Sequence, residues 1–515
     1  MDQAIRSDDS CLHPLDAPER ERLANVRPRG WRNPQPADRY NLVVVGGGPA
    51  GLVAAHAAAG LGAKVALVER ELLGGDCLNI GCVPSKAIIR SARLYAEMRS
   101  APHYGAQVPN RAAAGIDVDF PAAMQRMRGI RARISREDSA RRLINAGVDV
   151  FFGDGRFTGT DSLAVDGATL RFNKAMIATG ARPDTPHVPG LIDAGFLTNE
   201  NVFDLTELPR RLLVIGGGPL GCELAQAFCR FGSRVTIVQE MPMFLPKEER
   251  DAAQLLSDAF ARDGIEVRLD TQVARVRVEN GHKRVDLVNQ GHSDTLSVDA
   301  ILAGVGRLPN VEGLNLPAAG VECDDKTGVR VNDFLQTSNP RIYAAGDACL
   351  EHKFTHTADA SARIVVRNAL FLGREKLSAL TVPWCTYTDP EIAHVGLYVR
   401  EARERDIPVK TFTVPMHDVD RAIADSEEVG FVKIHVKERT DRILGATIVA
   451  RHAGDMINEI TLAMVAGIGL RTLANVIHAY PTQAEAIKKA ADAYNRTRLT
   501  PGIRSLLQRW LAWKL

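Results

Sequence analysis

No long run of one charge sign interrupts this 515-residue chain, and Lys plus Arg (64) nearly cancel Asp plus Glu (62). A nucleic-acid partner therefore has no electrostatic footprint to bind, and that class is set aside. Cysteine is sparse: Cys11, Cys77, Cys82, Cys222, Cys229, Cys323, Cys349 and Cys385 are scattered rather than arranged as a disulfide framework. That usage excludes a stapled secreted domain and implies a reduced compartment, the cytoplasm. The N-terminus has no apolar stretch of the kind a secretory signal needs. Long hydrophobic runs are also missing, with one look-alike: residues 42–63 carry no Asp, Glu, Lys or Arg over 22 positions. Six glycines and a proline within it fit a strand, a turn and a small-residue helix better than a membrane span. The length exceeds one core, so about three domains are expected.

What is there begins after residue 38. Residues 1–38 are rich in charge and proline without a sustained period, and read as a flexible or loosely docked extension. From residue 41 the texture becomes strand, glycine turn, helix, strand: "NLVVV", "GGGPAG", "LVAAHAAAGLG", "KVALVE". Gly46, Gly48 and Gly51 fit the G-x-G-x-x-G roles of tight turn, close approach to a pyrophosphate, and helix–strand packing. Glu69, 18 residues beyond Gly51, stands where a ribose hydroxyl would be accepted. The pattern returns 170 residues later as Gly216, Gly218 and Gly221, so two nucleotide-binding regions are predicted. There the corresponding position is Gln239, with Glu240 beside it and no arginine, which favours NADH over NADPH because a 2′-phosphate needs a cation. Between the motifs lie a helical stretch and short strands ending in "AMIATGARP". After residue 381, strands such as "GFVKIHV" and "ILGATIVA" followed by helices indicate an α+β domain.

The stretch "GGDCLNIGCVPSK" sets Cys77 and Cys82 four residues apart. Zinc would accept such a pair as half a site, but no second pair or matching histidines close a tetrahedron. A structural disulfide across so short a loop, in a reduced compartment, stabilises little. Redox use fits better. Pro84 sits where a helix begins and Cys82 near its N-cap, where the helix dipole favours a thiolate. Cys222 and Cys229, seven apart on a predicted buried helix, read as core.

With these motifs in order, and with "GVGRLPN", "TSNPRIYAAGDA", "YTDPEIAHVG" and "HAYPTQAE" after them, residues 40–498 resemble the FAD-dependent pyridine nucleotide-disulfide oxidoreductases. The resemblance implies an α/β fold: two Rossmann-like domains for FAD and NAD(P), and a C-terminal α+β dimerisation domain. The implied divisions are 39–185 and 309–380 for FAD, 186–308 for NAD(P), 381–498 for the homodimer interface, and 499–515 as an amphipathic tail. It also implies that Cys82 touches the flavin and forms a charge-transfer pair with it, and that Cys77 faces the acceptor. Lys86 would approach the flavin and pair with Glu223. Gly75, Thr179, Gly180, Asp347 and Gly306 would lie along the cofactors. Electrons from NAD(P)H would pass through a Cys77–Cys82 disulfide to a small disulfide or a soft metal ion.

Two features depart from the family. Where most members carry a histidine base before Pro481, this chain has Tyr480, with Glu485 at the expected distance and His478 two residues upstream. A phenol titrating near 10 is a poor base at neutral pH, and His478 is expected to be structural. Tyrosine here resembles the mercuric reductase-like branch, yet no cysteine follows Cys385 to deliver a metal ion, and Cys11 is solitary. The ending "LTPGIRSLLQRWLAWKL" places Ile503, Leu506, Leu507, Trp510 and Leu511 at helical spacing; packing on its own dimer or fraying is favoured over contact with a membrane surface. Two alternatives stay open: a quinone-type flavin reductase that bypasses the cysteines, and a non-enzymatic flavoprotein redox sensor.

Overall fold

The runs "YNLVVV" and "VALVE" are apolar and β-branched almost throughout, as strands buried on both faces of a parallel sheet must be. In the computed structural model, which describes residues 15–106 and 117–515, they form β1 (Tyr40–Val45) and β2 (Val65–Glu69), with Leu42 opposite Val65. Cys11 lies outside the described residues. With β3 (Val148–Phe152), β4 (Arg156–Gly159), β5 (Ser162–Val165) and β6 (Ala168–Ile177) they make a sheet in the order β3-β2-β1-β6-β5-β4. β3, β2, β1 and β6 run parallel, and Ile342–Ala344 adds a further parallel strand beside β6.

The first described helices are α1 (Ala17–Val26), α2 (Pro49–Gly60), α3 (Gly75–Ile80), α4 (Cys82–Ser100) and α5 (Phe120–Ser135). The small residues of α2 bury Ala54, Ala55 and Ala58 in the same core as Leu42, Val44 and Leu67. The motif beginning at residue 211 builds a second parallel set, Arg234–Val238, Arg211–Ile215 and Ala300–Ala303, with the helix Pro219–Phe231 after its glycine turn. An antiparallel meander, Thr271–Glu279, His282–Asn289 and His292–Val298, follows. The fold is thus α/β with two dinucleotide-binding-type glycine turns.

Packing divides the chain into two units: residues up to Glu240 with Thr271–Leu380, and Met241–Asp270 with Thr381–Leu515. The second unit is α+β, a five-stranded antiparallel sheet in which Phe431–Lys437 and Ile443–Ala450 are central, covered by helices Ala453–Val465 and Glu485–Arg498. Met241–Asp270 falls inside the span expected for NAD(P) but groups with this unit. Glu248 accepts from the Tyr398 hydroxyl (2.7 Å), and Glu249 accepts from Lys433 (2.7 Å) and bonds His435 (3.1 Å). Among the described residues no helix is long and apolar enough to cross a membrane.

Residues 15–38 differ from the loosely docked extension expected of them. α1 is capped by Asp16, whose carboxylate accepts from the Glu19 amide at 3.0 Å, and it lies against α5. Glu19, Arg22 and Arg131 are 4%, 3% and 2% exposed, so their charges meet each other rather than water. Arg131 donates to Glu19 (2.8 Å) and to the Asn79 carbonyl (2.8 Å), Arg22 donates to Glu19 and to the Asn79 side chain, and Asn79 in turn donates to the Gly75 carbonyl (2.8 Å). No local period announces this, because the partners lie on three separate helices. Burial alone would raise the Glu19 carboxyl, but the bonds from Arg22 and the two guanidinium charges hold it below its ordinary value. The stabilisation is therefore complete above the ordinary carboxylate range near pH 4 and is lost as pH falls through the lower folded value. Glu19→Gln, which leaves two buried guanidiniums uncompensated, should destabilise the first unit by about 3 kcal/mol in denaturant unfolding and remove this part of its acid sensitivity.

Candidate functional site

Both glycine turns end a parallel strand and open a helix. Gly51 packs α2 onto its own turn so closely that a Cβ there would lie 1.8 Å from the Gly46 carbonyl oxygen, and the same clash, at 2.2 Å, would arise between Gly221 and Gly216. Gly48 begins α2 with no capping side chain and no acid in the first turn, so the helix N-terminus keeps its unsatisfied amides. A Cβ on Gly48 would meet only the Gly75 Cα, at 3.7 Å. Such a bare helix start beside a glycine turn fits the pyrophosphate of FAD. Glu69, at the end of β2, accepts from the Gly47 amide (2.6 Å) and the Glu71 amide (2.6 Å); burial pushes its carboxyl up against those bonds.

The second turn repeats this with one substitution. Gln239 accepts from the Gly217 amide at 2.8 Å, in the manner of Glu69, and Glu240 accepts from Gln272 at 2.6 Å. Gly218 likewise starts its helix without a capping side chain. Cys222 is buried in that helix with its thiol pushed up by desolvation, as a core residue would be.

α3 and α4 meet at Gly81, where a Cβ would lie 2.8 Å from the Asp76 carbonyl oxygen. That close turn brings Cys77 of α3 to Cys82, the first residue of α4, and both are free thiols. The pair is polarised. The hydrogen bond from Cys77 comes first among the causes that lower Cys82 to about 6, with Thr355 and the Lys86 charge adding to it against burial. The same bond, with burial, pushes Cys77 well up. Cys82 Sγ lies 3.2 Å from the Thr355 hydroxyl and is exposed, beside a cleft of about 410 Å³ lined in part by Val83, Lys86 and Arg90. Lys86, one turn further along α4, donates to Glu223 at 2.7 Å. Asp138, which burial raises to about 6, adds a nearby negative field to Cys77.

Around this pair the structure adds residues that the motifs did not single out. Arg307 pairs with Asp76, donates to the Ala181 carbonyl (2.6 Å), and stands 3.7 Å from Asp347. Its Nε is buried with no hydrogen-bond partner. Asp347 follows Gly346, whose missing Cβ faces Ala50 in the first turn of α2; burial raises the Asp347 carboxyl despite Arg307. Thr179 donates to the Asn310 carbonyl (2.6 Å), and Asn310 donates to Gly180 (3.0 Å). Gly180 and Gly306 both adopt positive φ with open space where a side chain would be. Thr355 gave no signal beyond its residue type, and Arg307 was not singled out within "GVGRLPN"; only folding brings Thr355 to Cys82 and Arg307 to Asp76.

In the second unit, the Tyr480 hydroxyl donates to Asp420 at 2.9 Å, which with the Asp420 charge raises its pKa. His478 bonds Glu459 at 2.9 Å. Glu485 begins the helix Glu485–Arg498, lies 3.6 Å from Lys489, and has one carboxylate oxygen, Oε2, buried without a hydrogen-bond partner.

Two glycine turns bare of caps, with a polarised dithiol at the first, define a flavin- and nicotinamide-dependent dithiol oxidoreductase. The chain belongs to the pyridine nucleotide-disulphide oxidoreductase family, which it matches over residues 40–362, with that family's dimerisation domain over 382–491. It is 35% identical to a mercuric reductase of Staphylococcus aureus over 89% of this chain and 83% of that protein. It is 34% identical to a dihydrolipoyl dehydrogenase of Thermus scotoductus over 89% and 98%. Among solved structures, LpdA of Mycobacterium tuberculosis superposes with TM-score 0.80 at 29% identity, covering 89% of this chain and all of that one. A Cu(II) complex of the flavoprotein disulfide reductase RclA from Escherichia coli does so with TM-score 0.78 at 28%, covering 87% and 98%.

The polarisation is measurable. Iodoacetamide labelling of the reduced protein should show Cys82 reacting with a midpoint near pH 6. Cys77→Ala should move that midpoint upward toward the ordinary thiol range of about 8.5, since the thiolate loses its main donor; an unmoved midpoint would show that the helix start alone sets it.

Proposed function

We propose that this chain moves electrons from NAD(P)H, with FAD bound at the first glycine turn, through Cys77 and Cys82 to a soft acceptor, a thiol-ligated metal ion in preference to a small disulfide. The observation that carries the reading is the polarised thiol pair at the start of α4. Bound FAD supplies hydride acceptance from the nicotinamide and electron delivery to a neighbouring dithiol. The protein's own residues do the rest. The α2 N-terminus and Glu69 hold the dinucleotide, and the pairing with Glu223 fixes the Lys86 ammonium in place beside Cys82. Cys82 stays a thiolate at neutral pH while Cys77 keeps its proton until an acceptor arrives. NADH is favoured because Gln239 and Glu240 offer no cation to a 2′-phosphate.

Tyr480 decides between acceptors. Thiol–disulfide exchange needs a group that takes and returns a proton near neutral pH, and a phenol raised further by Asp420 does neither. A soft metal ion needs no such base, because coordination itself drives the proton off a thiol. Among the similar proteins, one named a mercuric reductase and a Cu(II) complex of a disulfide reductase support a metal ion, while a dihydrolipoyl dehydrogenase keeps the small disulfide as the second reading. Leu462, Val465 and Ile477, all exposed on the unit that matches the dimerisation domain, support a homodimer.

Anaerobic titration of the FAD-loaded protein with NADH, then NADPH, should generate two thiols and a long-wavelength absorbance band before the flavin bleaches. Cys82→Ser should abolish metal-ion reduction while NADH still bleaches the flavin. Bleaching without new thiols in the unsubstituted protein would remove the cysteines from the path and favour a quinone-type acceptor. Tyr480→His should give the Glu485 Oε2 its missing donor and raise turnover with small disulfides by about 10²-fold, the usual worth of a positioned acid–base; no gain would show that the acceptor preference lies elsewhere.

A further inference from the structure

Residues 493–515 carry Arg496, Arg498, Arg504, Arg509 and Lys514 and no Asp or Glu. Within them Pro501–Trp513 forms a helix, started by Thr500, whose hydroxyl accepts from the Ile503 amide, and by Pro501 in the first turn. No residue of this helix is buried. Its apolar side chains stand in the open, with Leu506 68%, Trp510 53%, Leu511 61% and Trp513 75% exposed. At about 100° per residue, Ile503, Leu506, Leu507, Trp510, Leu511 and Trp513 share an arc of about 160°, and Arg504 and Arg509 fall at its two edges. Two of the chain's four tryptophans lie here, their ring centroids 5.3 Å apart.

A helix of this length is marginal alone in water, so its apolar face calls for a cover. The chain's own core does not provide one. A second copy is a poor cover, because two acid-free cationic helices repel when brought face to face. The segment also lies beyond the matched dimerisation region, which ends at residue 491. We propose that Pro501–Trp513 lies in the plane of an anionic lipid bilayer, its apolar arc among the acyl chains, its edge arginines at the headgroups and its tryptophans at the boundary. The sequence by itself favoured packing on the dimer or fraying. The formed and wholly uncovered face, with cations on both edges, moves the assignment to lipid. The reductase is then held peripherally at a membrane surface.

The test is vesicle flotation of the full-length, FAD-loaded protein, with tryptophan emission followed in parallel. Phosphatidylcholine vesicles containing phosphatidylglycerol at about one part in three should carry the protein up and shift its emission to the blue. Pure phosphatidylcholine, or about 0.5 M salt, should weaken retention at least about tenfold. Leu507→Glu with Trp510→Glu should do the same while leaving NADH-driven bleaching unchanged, since neither residue belongs to the thiol pair or to a glycine turn. No retention on anionic vesicles, or equal retention on both compositions, overturns the proposal. Loss of the dimer in the double variant, read by light scattering, also overturns it by naming a second copy as the cover.

Discussion

The structure around the thiols depends on one contact, backbone against backbone, between Gly48 and Gly75. A Cβ on Gly75 would lie 2.6 Å from the Gly48 Cα, a separation no side chain survives. Because both positions are bare, the start of α2 and the start of α3 abut, and the dinucleotide turn and the thiol turn become one packed object. Gly81 then lets the chain reverse within the spacing of Cys77 and Cys82, so the second thiol begins a 19-residue helix. Two uncapped helix starts, α2 and α4, thus stand close to a single site, each offering unsatisfied amides to a negative charge: a pyrophosphate at one, a thiolate at the other.

Charge at the site is organised around that geometry. Lys86 and Glu223 act on Cys82 with opposite sign, so their fields largely offset, and the asymmetry between the thiols comes mainly from the hydrogen bond they share. Arg307 spans Asp76 and Asp347, tying the residue before Cys77 to the strand end that carries Asp347. On the far side of α3, Asn79 is clamped by Arg22 and Arg131, so helix α1 reaches the thiol turn through a buried ion network. The first unit is therefore held to the turn from two directions, and neither hold uses a group expected to react.

The parts of this arrangement that could be read from sequence are those carried by short spacing. Gly46, Gly48 and Gly51 with Glu69, and the Cys77–Cys82 pair before Pro84, need only one strand, one turn and one helix to make sense. Lys86 with Glu223 is 137 residues apart in the chain and became legible only through the family resemblance. Thr355, 273 residues from Cys82, was invisible because an ordinary threonine carries no period or motif, and Arg307, although inside "GVGRLPN", gave no sign of its partner Asp76, 231 residues away. The same holds for α1: a charged, proline-flanked segment looks solvated until its partners on α3 and α5 are known. The two strand–turn–helix units followed from the glycine turns, whereas the grouping of Met241–Asp270 with the C-terminal unit did not, since it rests on Glu248 and Glu249 meeting residues over 130 positions away.

The asymmetry of the thiols and the replacement at Tyr480 bear on one another. With Cys82 ionised and Cys77 protonated, the reduced pair holds one proton that must leave before Cys77 can act. In an exchange with a disulfide, that proton needs a nearby base, and on the proposed reading Tyr480, turned toward Asp420, offers none. A thiophilic cation alters the balance at its source. Binding to the Cys82 thiolate brings positive charge next to Cys77, lowers its pKa, and removes the hydrogen bond that had kept the proton in place. On the proposed reading, the polarised pair favours acceptors that displace the proton themselves over acceptors that need a base to take it.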